Sequence, residues 1–140
     1  MNVKPNKRSN GIGKEIGKKK KNKYSAKKTA VKGIGTFDSK AEAEYFFIAR
    51  TYAMAHGLEM RMQEKFELMP KFKLNGKTYR AITYKPDFTF YKGDELVKTV
   101  DVKGVQTEVF KMKAKLFCQK YQAPLILAKK TSRGFTEEIF

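Results

Sequence analysis

The sequence predicts a small α/β domain with a mixed central sheet flanked by helices, preceded by a disordered basic arm. Three observations support this prediction. Two segments have apolar residues at helical spacing and recognisable caps, other segments alternate as strands do, and the first 35 residues are rich in lysine, glycine and asparagine. A chain of 140 residues suits one domain with a modest core. We therefore expect an arm over residues 1–35 and a folded domain over residues 36–140.

Most of the positive charge lies in the predicted arm. Residues 1–33 contain 12 basic residues and one acidic residue, and so contribute +11 of the formal net charge of +17. A basic arm beside a mildly basic domain is typical of proteins that bind nucleic acid. The alternatives are a solubilising tail and a segment attracted to acidic lipid. The candidate nucleic-acid contacts in the arm are Lys18, Lys19, Lys20 and Lys21.

Several other classes of protein are disfavoured by the sequence. A single cysteine, Cys118, cannot form an internal disulfide, and with one histidine it cannot complete a zinc site. No apolar run approaches the roughly 20 residues that a membrane helix needs, and no signal-peptide pattern follows the basic start. We therefore expect a cytoplasmic protein without a membrane partner.

The first helix is predicted over residues 40–56. Ser39 can cap its N-terminus, and Glu42 follows three residues later, as in a capping box. Gly57 is expected to end the helix. The apolar stripe of this helix comprises Phe46, Ala49 and Ala53.

Strands and a second helix are predicted after residue 57. Alternating apolar residues between positions 66 and 74 indicate strands, and Asn75-Gly76 indicates a type I′ hairpin. A second hairpin follows, with "DFTFY" and "LVKTVDVKG" on either side of a loop near residues 92–95. The second helix, "TEVFKMKAKLFCQKY", has Thr107 as its predicted N-cap, and the last predicted strand is "PLILAKK".

The second hairpin carries acids at positions that strands disfavour. Asp101 and Lys103 project from the same face of a strand, about 6.6 Å apart. If residues 93–95 form a three-residue loop, so that Lys92 faces Leu96, Asp87 lies directly opposite Asp101. A five-residue loop keeps that parity, whereas two or four residues would put the acids on opposite faces.

Two carboxylates placed side by side favour a cation between them. Without one they repel each other, and one of them protonates. Hard oxygen ligands suit Mg²⁺. Lys103 beside such a site can stabilise charge or help to deprotonate a metal-bound water. The alternative is an exposed hairpin in which Asp101 and Lys103 form a weak surface ion pair.

The order of these residues resembles the PD-(D/E)XK nuclease superfamily. Asp87 lies in "PDF", Asp101 and Lys103 lie in "DVKG", and Glu42 precedes them in "SKAEAEYF". The segments "FDSKAEAEYF" and "DVKGVQTEVFKMKAKLF" are similar to a phage-borne, Holliday-junction-resolvase-like endonuclease family. The similarity runs from about residue 36 to residue 127.

This resemblance implies a restriction-endonuclease-like αβββαβ core with the active site at one end of the sheet. Asp87 and Asp101 would hold Mg²⁺, for which Mn²⁺ could substitute. The Val102 carbonyl would be a further ligand, and Glu42 would reach the metal directly or through water. Lys103 would be the catalytic lysine.

Two sets of candidate residues have alternative roles. Glu42 and Glu44 point about 200° apart on a helix, so only one can face the site. Glu42 is favoured because it shares a face with Phe46, although it could simply be the capping partner of Ser39. The second-helix lysines could follow a nucleic-acid backbone or form a solvated face, and they are Lys111, Lys113 and Lys115.

The resulting hypothesis is a Mg²⁺-dependent endonuclease that hydrolyses DNA phosphodiester bonds. Structure-selective cleavage of branched recombination intermediates is expected by analogy with phage nucleases. If the protein is encoded by a phage, we expect it in the cytoplasm of the bacterial host. Because junction-resolving enzymes act with paired sites, a homodimer is one option. The alternative function is a non-catalytic, basic nucleic-acid-binding protein on the same scaffold, and RNA as the substrate stays open.

Overall fold

The computed structural model describes residues 27–140. Two helices are present in this part of the chain, α1 (Lys40–His56) and α2 (Glu108–Tyr121). The strands are β1 (Thr29–Val31), β2 (Gly35–Phe37), β3 (Glu59–Met62), β4 (Phe66–Met69), β5 (Phe72–Leu74), β6 (Lys77–Tyr79), β7 (Ile82–Tyr84), β8 (Phe88–Lys92), β9 (Glu95–Val102), β10 (Leu125–Thr131) and β11 (Gly134–Ile139).

A five-stranded sheet organises the domain, with the strand order β11-β10-β9-β8-β3. The pair β10 and β9 is parallel, and the other neighbours are antiparallel. Three two-stranded pairs accompany it, β1 with β2, β4 with β7, and β5 with β6. The predicted mixed α/β architecture is therefore confirmed, with a mostly antiparallel sheet and two helices.

Both helices begin at the residues that the sequence predicts. The Ser39 side chain accepts a hydrogen bond from the Glu42 N–H at 3.0 Å, and Thr107 caps α2 by accepting from the Phe110 N–H at 3.1 Å. Gly57 follows α1 with φ of 63°, a left-handed conformation that glycine adopts without strain. The capping predictions are confirmed at both helices.

Each helix packs over its own apolar cluster. The buried α1 residues Phe46, Ala49 and Ala53 contact a cluster that includes Phe88 and Val100 of the sheet. The α2 cluster comprises Phe66, Tyr84, Phe110, Ala114, Phe117, Ala123, Leu125 and Leu127. This second cluster joins α2 to both the central sheet and the β4–β7 pair.

The Asn75-Gly76 turn has the predicted backbone conformation. Both residues have positive φ, 49° and 75°, which a type I′ turn requires. They connect β5 to β6, and the predicted long return strand is divided into β6 and β7.

The three-residue loop that we assumed for the second hairpin, residues 93–95, does not form. Lys92 pairs with Glu95 rather than with Leu96, so the loop contains only Gly93 and Asp94. Gly93 has φ of 61°, which accounts for a tight two-residue turn at this glycine.

A β-bulge on β9 restores the parity that the short loop would have lost. Tyr91 pairs with Leu96, but the preceding residue, Phe90, pairs with Lys98. Val97 is therefore an extra residue, and it shifts the rest of β9 by one position. Beyond the bulge, the register is the one predicted for the acids.

Other elements were not predicted as strands. The β1–β2 hairpin spans the boundary that we placed after residue 35, and its Phe37 is buried, with its ring 5.4 Å from that of Phe46. The edge strands β3 and β11 also lacked a sequence signal. Residues 1–26 lie outside the described part of the chain, together with the four candidate lysines of the arm.

In residues 27–140, no helix is long and apolar enough to cross a lipid bilayer.

We expect Phe117→Ala to destabilise the domain by about 3–5 kcal/mol, because it leaves a cavity in the α2 cluster. Phe117 is fully buried, and its ring contacts those of Phe66 and Tyr84. Chemical denaturation measures the change. Met112→Ala is the matched control, since Met112 is 52% exposed on the same helix, and it should change stability by less than about 0.5 kcal/mol. Equal effects of the two substitutions would contradict this account of the core.

Candidate active site

Asp87 and Asp101 lie opposite each other where β8 begins and β9 ends. Phe88 pairs with Val100, and the same register places Asp87, the residue before β8, across from Asp101. Asp101 is buried, with 1% of its surface exposed, and lies in β9 between β8 and β10. The structure thus brings together the two acids that the sequence analysis paired.

The two oxygens of Asp101 have different surroundings. The Tyr84 hydroxyl donates to Asp101 Oδ2 at 2.5 Å, and both residues are buried. Lys103 Nζ lies 3.3 Å from Oδ1, but Oδ1 accepts no hydrogen bond from residues 27–140. A buried carboxylate oxygen with an ion pair but no hydrogen bond is free to bind a further cationic partner.

Asp87 is held by main-chain and side-chain donors. The Val102 N–H donates to Asp87 Oδ2 at 2.7 Å. The Gln63 amide nitrogen donates to Asp87 Oδ1 at 3.0 Å and to Glu42 Oε1 at 2.8 Å. One amide group therefore bridges the acid at the start of α1 and the acid before β8.

Glu42 and Glu44 have different environments, in line with the face argument. Glu42 is buried, with 5% of its surface exposed, and its carboxylate faces Gln63 at the acid cluster. Glu44 instead forms ion pairs with Lys130 and, at 4.0 Å, with Lys40. Glu42 is thus the helical acid that lies near Asp87.

Burial and mutual repulsion perturb the pKa values of this cluster. Burial, followed by the negative charges of Asp101 and Glu42, raises the pKa of Asp87 to about 8. Burial also raises the pKa of Glu42, and burial together with the Asp101 charge raises the pKa of Tyr84 well above its usual value. The ionised forms of these groups are therefore disfavoured in the site, and a bound cation would stabilise them.

The donor set fits a hard divalent cation by its chemistry. Within the described residues, no group of three or more His, Cys, Asp and Glu side chains is arranged to hold a metal ion. Two carboxylates and a main-chain carbonyl nevertheless suit Mg²⁺, which keeps several of its waters. The hydrogen-bond-free Oδ1 of Asp101 provides one such donor. The amide nitrogen of Gln63 donates hydrogen bonds to the other two acids, Glu42 and Asp87.

Lysines line two of the clefts that meet at Lys103. One cleft, of about 380 Å³, is lined by Asp101, and the other has about 520 Å³. The further lysines are Lys85 and Lys113 in the first cleft, and Lys129 and Lys130 in the second. Asp101 therefore lines a cleft with a positively charged rim, which suits an anionic substrate.

The three candidate lysines of α2 are not equivalent. Lys113 lines the cleft that contains Asp101. Lys111 pairs with Glu108 at 3.1 Å and lines a neighbouring depression beside Lys103, whereas Lys115 is exposed on the helix surface. Lys113 is consequently the one of the three that lines a cleft together with Asp101.

Gln63 and Tyr84 are site residues that the sequence analysis missed. A buried tyrosine needs a partner for its hydroxyl, and Tyr84 shortly before Asp87 offered that signal. Gln63 offered none, because it reaches the site through a left-handed backbone conformation, with φ of 52°, and a main-chain hydrogen bond to Asp87.

Comparison with known proteins gives a family but no described relative. A family model described as "Protein of unknown function (DUF1064)" matches residues 21–132. The chain belongs to this family. The matched part includes the acid cluster, α1, α2 and most of the central sheet. Searches of the curated proteins and of the solved structures found no match.

We expect the pH dependence of stability to report the raised pKa of the half-buried Asp87. Its folded-state pKa of about 8 lies above the unfolded value of about 3.9, so the folded state binds more protons between these values. In EDTA, the free energy of unfolding should therefore fall as the pH rises from about 4 to 8. Asp87→Asn should reduce this fall by an amount on the order of 1 kcal/mol or more, since one pKa unit corresponds to about 1.4 kcal/mol.

Urea denaturation at a series of pH values measures this slope. Asp94→Asn is the matched control, because Asp94 is exposed in the two-residue loop of the same hairpin. The control should keep the pH slope of the unaltered protein. An unchanged pH slope in Asp87→Asn would contradict a raised folded-state pKa of Asp87.

Proposed function

We propose that this protein is a metal-dependent nuclease that hydrolyses phosphodiester bonds in DNA. One observation carries the proposal: Asp87 and Asp101 lie side by side with Lys103 Nζ 3.3 Å from Asp101, where two lysine-lined clefts meet. Carboxylates that share a cation and a lysine that faces the same space are the groups that phosphodiester hydrolysis uses.

The order of the elements supports the resemblance to the PD-(D/E)XK superfamily. The chain runs through α1, β3, β8, β9, α2 and β10, which is helix, three strands, helix and strand. These strands are neighbours in the order β10-β9-β8-β3, with β10 parallel to β9. The β4–β7 segment is an insertion between the first and second strands of this series. The αβββαβ core is thus part of the proposal, and the resemblance gives its expected activity.

In this proposal, each residue of the site has a distinct role. Asp87 and Asp101 hold Mg²⁺, with Glu42 and the Val102 carbonyl as further ligands. When bound, Mg²⁺ neutralises the charge that develops on the phosphate and lowers the pKa of the attacking water. Lys103 Nζ directs positive charge at the phosphate oxygens and orients the water by a hydrogen bond. Mn²⁺ is expected to substitute.

Other groups prepare this geometry. The Tyr84 hydroxyl fixes Asp101 through Oδ2 and leaves Oδ1 facing Lys103. The Val102 N–H fixes Asp87 in the same way. The cleft lysines hold the phosphate backbone on either side of the scissile bond, so substrate affinity should decrease as salt rises. A homodimer and the basic arm as a DNA anchor stay predictions.

The proposal predicts metal-dependent cleavage that requires Asp101 and Lys103. The full chain is incubated with labelled single-stranded, linear duplex and four-way-junction DNA, in Mg²⁺ or in EDTA. Asp101→Asn and Lys103→Ala should each reduce the cleavage rate by about 100-fold or more. Both should retain DNA binding in EDTA, because the lysine-lined surface is otherwise intact.

Two substitutions in the same hairpin are matched controls. Glu95→Gln and Lys92→Ala remove an acid and a lysine that are exposed near the β8–β9 turn, and both variants should cleave normally. Undiminished cleavage by Asp101→Asn, or cleavage in EDTA, would contradict the proposal. Binding without cleavage under any of these metal conditions would favour the alternative, a non-catalytic DNA-binding protein.

A further inference from the structure

A two-stranded β-ribbon, residues 66–84, leaves the domain beside the candidate site. Its base is the β4–β7 pair, and its tip is the β5–β6 hairpin. The base is fixed against α2, where the Phe66 ring lies 5.0 Å from that of Phe117. Lys120 Nζ and the Tyr121 hydroxyl both donate to the Glu67 carbonyl at 2.8 Å. The ribbon therefore has a firm attachment.

The tip of the β-ribbon presents aromatic rings to solvent. Every residue from 70 to 81 is exposed. Phe72 and Tyr79 are register partners, and their rings stack with centroids 4.7 Å apart and planes inclined by 4°. Phe72 remains 41% exposed and Tyr79 37% exposed, with Leu74 beside them at 56%. A cross-strand pair stabilises a hairpin, but so much exposed apolar surface is characteristic of a binding site.

The charges around this aromatic pair have one sign. Residues 70–86 contain five basic residues and no acidic residue. Lys77 Nζ lies 5.1 Å from the centroid of the Tyr79 ring. The basic residues of this segment are Lys71, Lys73, Lys77, Arg80 and Lys85. Flat aromatic faces interspersed with cations bind nucleic acid, because the rings stack on bases and the cations contact phosphates.

The β-ribbon joins this surface to the candidate site. Tyr84 at its base donates to Asp101, and Phe66 pairs with Tyr84. Tyr79 at the tip precedes Tyr84 by five residues, so it lies within about 18 Å of Tyr84, whose hydroxyl contacts Asp101. One DNA molecule can therefore contact both the tip and the cleft lysines.

We propose that the tip of the β-ribbon binds unpaired bases of DNA by stacking on Phe72 and Tyr79. The inference rests on the proposed function for the identity of the polymer. Paired bases are stacked on their neighbours and present no free face, whereas single strands and branch points do. The β-ribbon thus selects DNA that is branched or partly single-stranded.

Affinity measurements in EDTA test this proposal without any chemistry. The full chain is titrated with single-stranded DNA, a four-way junction and a linear duplex of the same length at fixed salt. Phe72→Val combined with Tyr79→Val introduces β-branched residues, which suit the strands of a hairpin, but removes both flat faces. It should bind the single strand and the junction about 10-fold more weakly, with less than about twofold change for the duplex.

A swapped variant controls for folding of the hairpin. Phe72→Tyr combined with Tyr79→Phe retains two aromatic faces and should bind all three DNAs like the unaltered protein. In addition, 2-aminopurine at the branch point should change its fluorescence when the unaltered protein binds, and should not do so in the duplex. Equal losses on all DNAs, no loss in the valine variant, or unchanged fluorescence at the branch point would overturn the proposal.

Two further readouts separate the rival explanations. Loss of self-association in the valine variant, measured by sedimentation and accompanied by equal losses on all DNAs, would identify the tip as a contact with a second copy and overturn the proposal. Cleavage is measured separately in Mg²⁺. Selective binding that depends on the aromatic pair, with no cleavage, would uphold the β-ribbon inference and count against the nuclease.

Discussion

The rest of the structure depends on the accommodation of a carboxylate, Asp101, in the middle of a buried sheet. Moving a charged group away from water is costly unless hydrogen bonds and opposite charges compensate. The Tyr84 hydroxyl and Lys103 supply that compensation. The positions of β7, which ends at Tyr84, and of the segment that follows β9 are thereby constrained. Tyr84 must dock against α2 to reach Asp101, which fixes the base of the β-ribbon. The site and the β-ribbon are consequently parts of one arrangement.

The sequence identified the two acids, but it left their pairing conditional on a three- or five-residue loop. The observed register is the one expected for such a loop, although neither loop is present. The actual loop is shorter, and Val97 as a bulge residue compensates for the difference. A bulge depends on how the neighbouring strand twists and packs, so a local pattern does not reveal it.

Local signals predicted the helices well and the edge strands poorly. The caps at Ser39 and Thr107 involve hydrogen bonds within three residues, and such contacts are encoded where they occur. The edge strands β3 and β11 consist mostly of exposed residues, and they are defined by main-chain pairing with distant segments. For the same reason Gln63 was missed, since it contacts Glu42, a residue of another element, 21 positions away in the chain.

The distribution of charge supports the proposed metal-dependent activity over the alternative of DNA binding alone. Lysines surround the clefts, while Asp87, Asp101 and Glu42 form an acidic cluster beside them. A phosphate drawn in by the lysines would be repelled by these carboxylates, so in a protein that only binds DNA the acids would weaken the interaction. Burial, and then the neighbouring negative charges, raise the pKa values of Asp87 and Glu42, so the fold holds these acids where their ionised forms are disfavoured. A divalent cation would remove both penalties at once, because it neutralises the acids and attracts the phosphate, and this is the physical reason for expecting activity that depends on a metal.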